Sequence, residues 1–153
     1  MSALDAAGIA HETVSGLSDC VRISAGFDRK GLAKAGENWY YYQDAASQYC
    51  CRALGARPGE TIADVCAAPG GKSFTVAQMM QNRGHLLSCD LYSQKCETIA
   101  RRAKELGITC IETRVRDAVQ PIPQSLEKRF DRVLCDAPCS GLGVIRHKPE
   151  IRY

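Results

Sequence analysis

The chain has 153 residues, a formal net charge of +3, and 45% hydrophobic against 24% charged residues, the profile of an ordinary globular domain with room for one core but not for two. No apolar run reaches the roughly 18 residues that a membrane span needs, and the opening MSALDAAGIAHE has neither the basic start nor the apolar stretch of a secretion signal. A cytoplasmic location with no membrane partner is therefore expected. Nine cysteines without a C-x-x-C spacing and three scattered histidines suit reduced thiols, and they argue against both a disulfide framework and a metal site.

Residues 1–38 show no sustained period; short apolar pieces such as Val21 to Ile23 alternate with Gly, Ser and Asp. WYYY, residues 39 to 42, reads as an aromatic strand-like run. QDAASQYCCRALGA follows as a helix carrying Ala45, Tyr49 and Leu54 on one side and stopping at Gly55. TIADVC (61–66) reads as a buried strand, APGG as a glycine turn and KSFTVAQMMQN as a helix. HLLSCD (85–90) is a second strand. YSQKCETIARRAKELG is an amphipathic helix with Cys96, Ile99, Ala103 and Leu106 on one face and Gly107 as its stop. ITCIET and FDRVLCD (130–136) are the third and fourth strands.

Strands alternating with helices predict a parallel sheet of the α/β, Rossmann-like class. Ligands of such sheets bind beyond the carboxyl ends of the strands. Cys66, Asp90, Asp117 and Asp136 all fall at or just past predicted strand ends.

The turn CAAPGGKS, residues 66 to 73, narrows the choice of ligand. Counting back from Gly71-Lys72-Ser73 puts Cys66 where a phosphate-binding P-loop needs glycine, and no G-x-G-x-x-G occurs. Gly70 and Gly71 still allow backbone N–H groups to approach a ligand. Asp90, twenty residues after Gly70, stands where an acid binds ribose hydroxyls. An adenosine cofactor without a pyrophosphate fits, S-adenosyl-L-methionine being the obvious candidate, with its carboxylate at the amides of the turn. The same turn and acid also occur in α/β proteins with unrelated ligands.

DVCAAPGGKS, the Cys89-Asp90 strand end and DAPCSGLGVIRHKPEIRY together resemble the signature motifs of the Nop–Nol–Sun family of RNA cytosine-5 methyltransferases, in particular its bacterial Sun-type members acting on 16S ribosomal RNA. WYYYQDAASQ resembles the segment before their cofactor loop. The likeness covers about residues 36 to 153. It implies a Rossmann-like S-adenosylmethionine-dependent methyltransferase fold cut off after its fourth core strand. Residues 39–153 would be the first part of the catalytic domain and 1–38 the remnant of a preceding RNA-binding region. It also implies that Cys66, Ala67, Ala68, Pro69, Gly70, Gly71 and Lys72 line the methionine end of the cofactor. Asp90 would hold the ribose, Asp117 would lie beside the adenine, and Asp136 would face the junction of methyl donor and base.

C5 of cytosine is a weak nucleophile, and addition of a thiolate at C6 turns it into one able to take a methyl group. The resemblance gives the attacking thiol to a later Thr-Cys motif. Cys139, in the Pro-Cys motif, would help release the product as a base or proton relay. The only Thr-Cys pair here is Thr109-Cys110, upstream and inside a predicted strand, where thiols are inert. The chain is therefore expected to be part of an enzyme and inactive alone. Arg146, His147 and Lys148 are candidate contacts to RNA phosphates, whereas Arg101, Arg102 and Lys104 read as a solvated helix face. The fourth strand is expected to leave a sheet edge open to self-association. Two rival readings remain: a nucleotide- or RNA-binding module without transfer activity, and an NAD-dependent oxidoreductase.

Overall fold

The computed structural model describes residues 2–23, 32 and 40–137. A short helix, α1 (Ser2–Ala6), leads into an antiparallel hairpin of β1 (His11–Val14) and β2 (Leu17–Ile23), which turns through Gly16 at φ +71°. The hairpin escaped the sequence reading because it buries little: Val14, Leu17 and Cys20 form one small cluster, and Leu4, Ile9 and Leu32 another.

Tyr40 to Gln43 form no strand, which corrects the strand-like reading of that aromatic run. Tyr41 instead packs edge-on against Phe74 with ring centroids 5.6 Å apart, so its bulk serves packing between helices. Helix α2 (Ala45–Leu54) starts where the Asp44 side chain accepts the Ala46 N–H at 2.7 Å, and it stops at Gly55, φ +67°. Its two sides are used differently. Cys51 is fully buried against the sheet. Tyr49, expected on the buried side, is half exposed and donates its hydroxyl to the Ser15 carbonyl, while Arg52 donates to the Gly16 carbonyl. The helix is thus wedged between hairpin and sheet, and a single apolar stripe does not describe it.

The main sheet has the order β5-β4-β3-β6, with every pair parallel. Strand β3 is Thr61–Asp64, β4 is His85–Asp90, β5 is Ile111–Val115 and β6 is Arg132–Leu134. Helix α3 (Gly71–Met79) joins β3 to β4, and α4 (Ser93–Glu105) joins β4 to β5. The chain steps outward from β3 to β5 and then returns to the other side of β3. The order therefore reverses at β3, and the crevice at its carboxyl end is the expected ligand position.

Ile62, Leu86 and Leu134 from three strands meet Val76 and Ala77 of α3, Met80 at its C-cap and Cys51 of α2 in the main core. Cys96, Ile99 and Ala103 are the buried side of α4, as their spacing predicts. A second cluster of Ala67, Phe74, Ile99 and Ala103 ties α4 and α3 to the loop after β3. Arg102 is not simply solvated, because it donates to the Tyr40 carbonyl at 2.8 Å.

Strand β5 begins three residues later than ITCIET suggested, at Ile111. The N–H groups of Thr109 and Cys110 both donate to Asn82 Oδ1, at 2.8 and 3.0 Å, and the Ile108 N–H closes the end of α4 onto Ala103. With those donors engaged, the ladder starts only afterwards. Strand β6 is one edge of the sheet among the described residues, with Val133 54% exposed. Among the described residues no helix is long and apolar enough to cross a membrane.

Candidate cofactor site

The loop between β3 and α3 leaves the sheet in two steps. Val65 still donates to the Leu134 carbonyl of β6 at 3.0 Å, and Ala67 donates to the Cys89 carbonyl of β4 at 2.8 Å. The loop therefore lies across the carboxyl ends of three strands. It closes with the Gly70 N–H on the Ala67 carbonyl at 2.7 Å, and Gly70, at φ +106°, caps α3. A Cβ at Gly70 would lie 2.7 Å from Phe74 Cζ and 3.2 Å from Ile99 Cγ1. The left-handed backbone and the lack of room both demand glycine there.

Asp90, the last residue of β4, is 8% exposed. Its Oδ2 accepts the Ala68 N–H at 3.2 Å and its Oδ1 accepts the Tyr92 N–H at 3.3 Å, with Lys95 Nζ 3.6 Å away. On the other flank Asp136, two residues beyond β6, pairs with Lys72 Nζ at 2.6 Å, and Lys72 also donates to Ser47 Oγ at 3.2 Å. Partial burial pulls the Lys72 ammonium down, but the hydrogen bond and charge of Asp136 outweigh it, so its pKa is raised. A cleft of about 220 Å³ opens here, lined by Tyr42, Gln43, Ser47, Cys66, Lys72 and Asp136 among others. Asp90 and Asp136 thus stand at the same end of the sheet, on either side of the glycine loop.

Beneath the loop lies an acid that the sequence reading passed over. Asp64, the last residue of β3, is 1% exposed, and burial pushes its carboxyl up to about 6 against the opposing Ser73 hydrogen bond, Cys66 N–H and Lys72 charge. Ser73 Oγ donates to Asp64 Oδ2 at 2.7 Å, and Ser88 Oγ of β4 donates to Ser73 at 2.9 Å. The signal was present in the strand-end Asp of DVCAAPGGKS and in the serine at its end. The polar atoms fit an incoming zwitterion. Among the described residues two buried side-chain atoms make no hydrogen bond, Asp64 Oδ1 and Gln43 Nε2. One is an acceptor and the other a donor, and both border this loop.

The remaining predicted residues are placed less centrally. Asp117 lies just past β5 on the same rim, but its Oδ1 accepts the Val119 N–H at 2.9 Å within its own turn. Cys66 is half-buried at the cleft, and burial, followed by the neighbouring Cys135, raises its thiol pKa. Cys110 is 7% exposed at the amino end of β5, its thiol raised by burial, about 16 Å of strand away from the rim. Cys139, Arg146, His147 and Lys148 lie outside the described residues.

Residues 51–153 match the model of the 16S rRNA methyltransferase RsmB/F family. The chain belongs to that family. A probable ribosomal RNA small subunit methyltransferase B of Bacillus subtilis is 45% identical over 111 residues, 72% of this chain and 25% of the relative. The chain spans only about a quarter to a third of the length of such curated relatives. A methyltransferase homologue from Pyrococcus horikoshii superposes with a TM-score of 0.80 at 28% identity, over 95% of this chain and 47% of that one. NSun6 from the same organism, solved with SFG, an S-adenosylmethionine analogue, gives 0.62 at 29% identity over 69% and 27%. RsmB/F proteins are S-adenosylmethionine-dependent methyltransferases, and the parallel sheet seen here is their Rossmann-like core.

Proposed function

We propose that the chain carries the methyl-donor half of an enzyme that methylates C5 of a cytosine in 16S ribosomal RNA, in the cytoplasm. The observation that carries this reading is the placement of Asp90 and Asp136 on opposite flanks of the glycine loop at the reversal point of the sheet. S-adenosylmethionine supplies an electrophilic methyl on a sulfonium. Asp90, held by two backbone amides, presents a carboxylate to a ribose. The amides of the loop and of the first turn of α3 favour a carboxylate. Lys72 fixes Asp136, and through it the carboxyl end of β6, from which the chain runs into Pro138 and Cys139. A fixed carboxylate there can accept a hydrogen bond from the exocyclic amine of a cytosine and so orient the ring. Asp117 is assigned to the adenine edge, Cys139 to removal of the C5 proton and release of product, and Arg146, His147 and Lys148 to the RNA backbone.

Within these 153 residues the only Thr-Cys pair ends in Cys110, which is buried at the far end of the sheet. On this reading the chain binds the donor but does not methylate by itself. Incubating it with labelled donor and 16S rRNA is expected to transfer nothing, and measurable transfer would overturn the assignment of the nucleophile. For the whole protein, deleting its coding sequence and sequencing bisulfite-treated 16S rRNA is expected to erase one 5-methylcytosine. An unchanged pattern refutes the C5 assignment. The absence of G-x-G-x-x-G counts against a nicotinamide site, and failure of NADH to compete with S-adenosylhomocysteine is the corresponding check.

A further inference from the structure

We propose that the side-chain amide of Gln43, in the segment ahead of α2, recognises the amino-acid carboxylate of the methyl donor and so sets the specificity of the cleft for that end of the molecule. The inference rests on the methyl-donor reading above and deepens it.

The amide is oriented by a chain of hydroxyls. Thr75 Oγ1, on α3, donates to Gln43 Oε1 at 2.6 Å, and the Tyr41 hydroxyl lies 2.9 Å from the same Oγ1. Tyr41 is held in turn by its edge-on contact with Phe74. With the oxygen fixed on Thr75, the nitrogen is turned toward Gly71, where a Cβ would lie 3.4 Å from Nε2. Nε2 is buried and makes no hydrogen bond. A buried amide N–H without an acceptor is destabilising, and an acceptor arriving over Gly71 removes that penalty.

The place where the amide points is suited to an anion. Gly71 is the first residue of α3, where N–H groups have no intrahelical acceptor and the helix dipole is positive. The nearby cation is already engaged, because Lys72 is bound to Asp136 and Ser47. Of the side-chain donors on this wall, the Gln43 amide is the one that is buried with no acceptor among the described residues. Asp44 and Asp136 also line the cleft, which disfavours a polyanion such as a pyrophosphate and suits one carboxylate of a zwitterion.

The test is calorimetric titration of the chain with two probes, S-adenosylhomocysteine and 5′-methylthioadenosine. The second has the nucleoside and thioether but no amino-acid group. Q43M keeps the length and packing against Gly71 without an N–H. Q43E keeps the acceptor for Thr75 and puts a carboxylate oxygen in place of the amide nitrogen. S-adenosylhomocysteine affinity is expected to fall about 10-fold in Q43M and about 100-fold in Q43E, with methylthioadenosine changed by less than about 2-fold. Equal losses for both probes would show that Gln43 only holds the loop in shape, and an unchanged S-adenosylhomocysteine affinity would show that it makes no contact; either result overturns the proposal. Wild-type chain that binds neither probe refutes the methyl-donor reading itself. Should a variant lose its cooperative melt, Q43N, which retracts the amide by one methylene, is expected to give the same selective loss.

Discussion

Replacing Asp64 by Asn is expected to stabilise the chain at neutral pH while weakening donor binding. Asp64 is fully enclosed, with one oxygen on Ser73 and the other without a partner. Its carboxyl is pushed from an ordinary 3.8 up to about 6 in the folded chain. A folded-state pKa above the unfolded one means that the folded chain holds the proton more tightly. Stability from this group is therefore greatest in acid and is lost as pH rises from about 3.8 through about 6. Two units at about 1.4 kcal/mol each give a penalty on the order of 3 kcal/mol above pH 7, of which roughly 2 kcal/mol develops between pH 4.5 and 7.5. Asn keeps an oxygen for Ser73 and cannot ionise. Urea unfolding of both proteins across that pH range should give a stability gap that widens with pH by about that amount. Parallel curves would refute the argument, since they would mean that the buried carboxyl does not change its charge in this window. A carboxylate retained at such a cost beneath the cofactor loop points to a functional use, so S-adenosylhomocysteine affinity is expected to drop in the same variant.

Three further changes separate fold from site. Gly70→Ala forces a side chain into a left-handed backbone and against the buried Phe74 and Ile99; a loss of about 2–4 kcal/mol in chemical denaturation is expected. Asn82→Ala removes the acceptor for two backbone N–H groups and a donor to the Gly107 carbonyl, and leaves alanine at φ +55°. A loss of about 2–3 kcal/mol should appear in melting, with donor affinity in the remaining folded protein unchanged, because this clamp is at the opposite end of the sheet. Lys72→Met breaks an ion pair whose acid is 55% exposed, so melting should move by less than about 1 kcal/mol while methyl transfer by the whole enzyme collapses in a labelled-methyl assay.

The sheet was legible because each crossover carries its own periodicity. Cys96, Ile99 and Ala103 recur at helical spacing, HLLSCD carries Leu86, Leu87 and Cys89 up to its acid, and Gly55 and Gly107 mark helix ends. What was not legible is where side chains replace the ladder. Nothing in ITCIET announces that Asn82, far upstream in sequence, takes the N–H groups of Thr109 and Cys110 and delays the strand. The hairpin was missed because its apolar residues pack in two small clusters and not along one face. In the site, Asp90 and Asp136 were readable from their positions after apolar runs. Asp64 was not singled out, because a strand residue enclosed on both sides resembles core until its partners Ser73 and Ser88 are seen beside it. Gln43 was hidden for another reason: its role depends on Thr75, 32 residues away.

The three acids at this rim show how one sheet end sorts carboxylates by surroundings. Asp64 has lost water, and the Ser73 hydroxyl, the Cys66 N–H and the Lys72 charge do not make up for it, so its pKa rises. Asp90 is also enclosed, yet two backbone N–H groups and the nearby Lys95 compensate it. A carboxyl group oriented in that way is suited to accepting hydrogen bonds from hydroxyls. Asp136 faces solvent and owes its position to Lys72. Across the sheet from β4 through β3 to β6, Asp90 and Asp64 are enclosed and Asp136 is exposed, and the glycine loop with the first turn of α3 touches all three through Ala68, Ser73 and Lys72. Any ligand that shifts this loop must therefore alter the surroundings of all three acids at once. Donor binding should accordingly change proton uptake most near pH 6, where Asp64 is half charged.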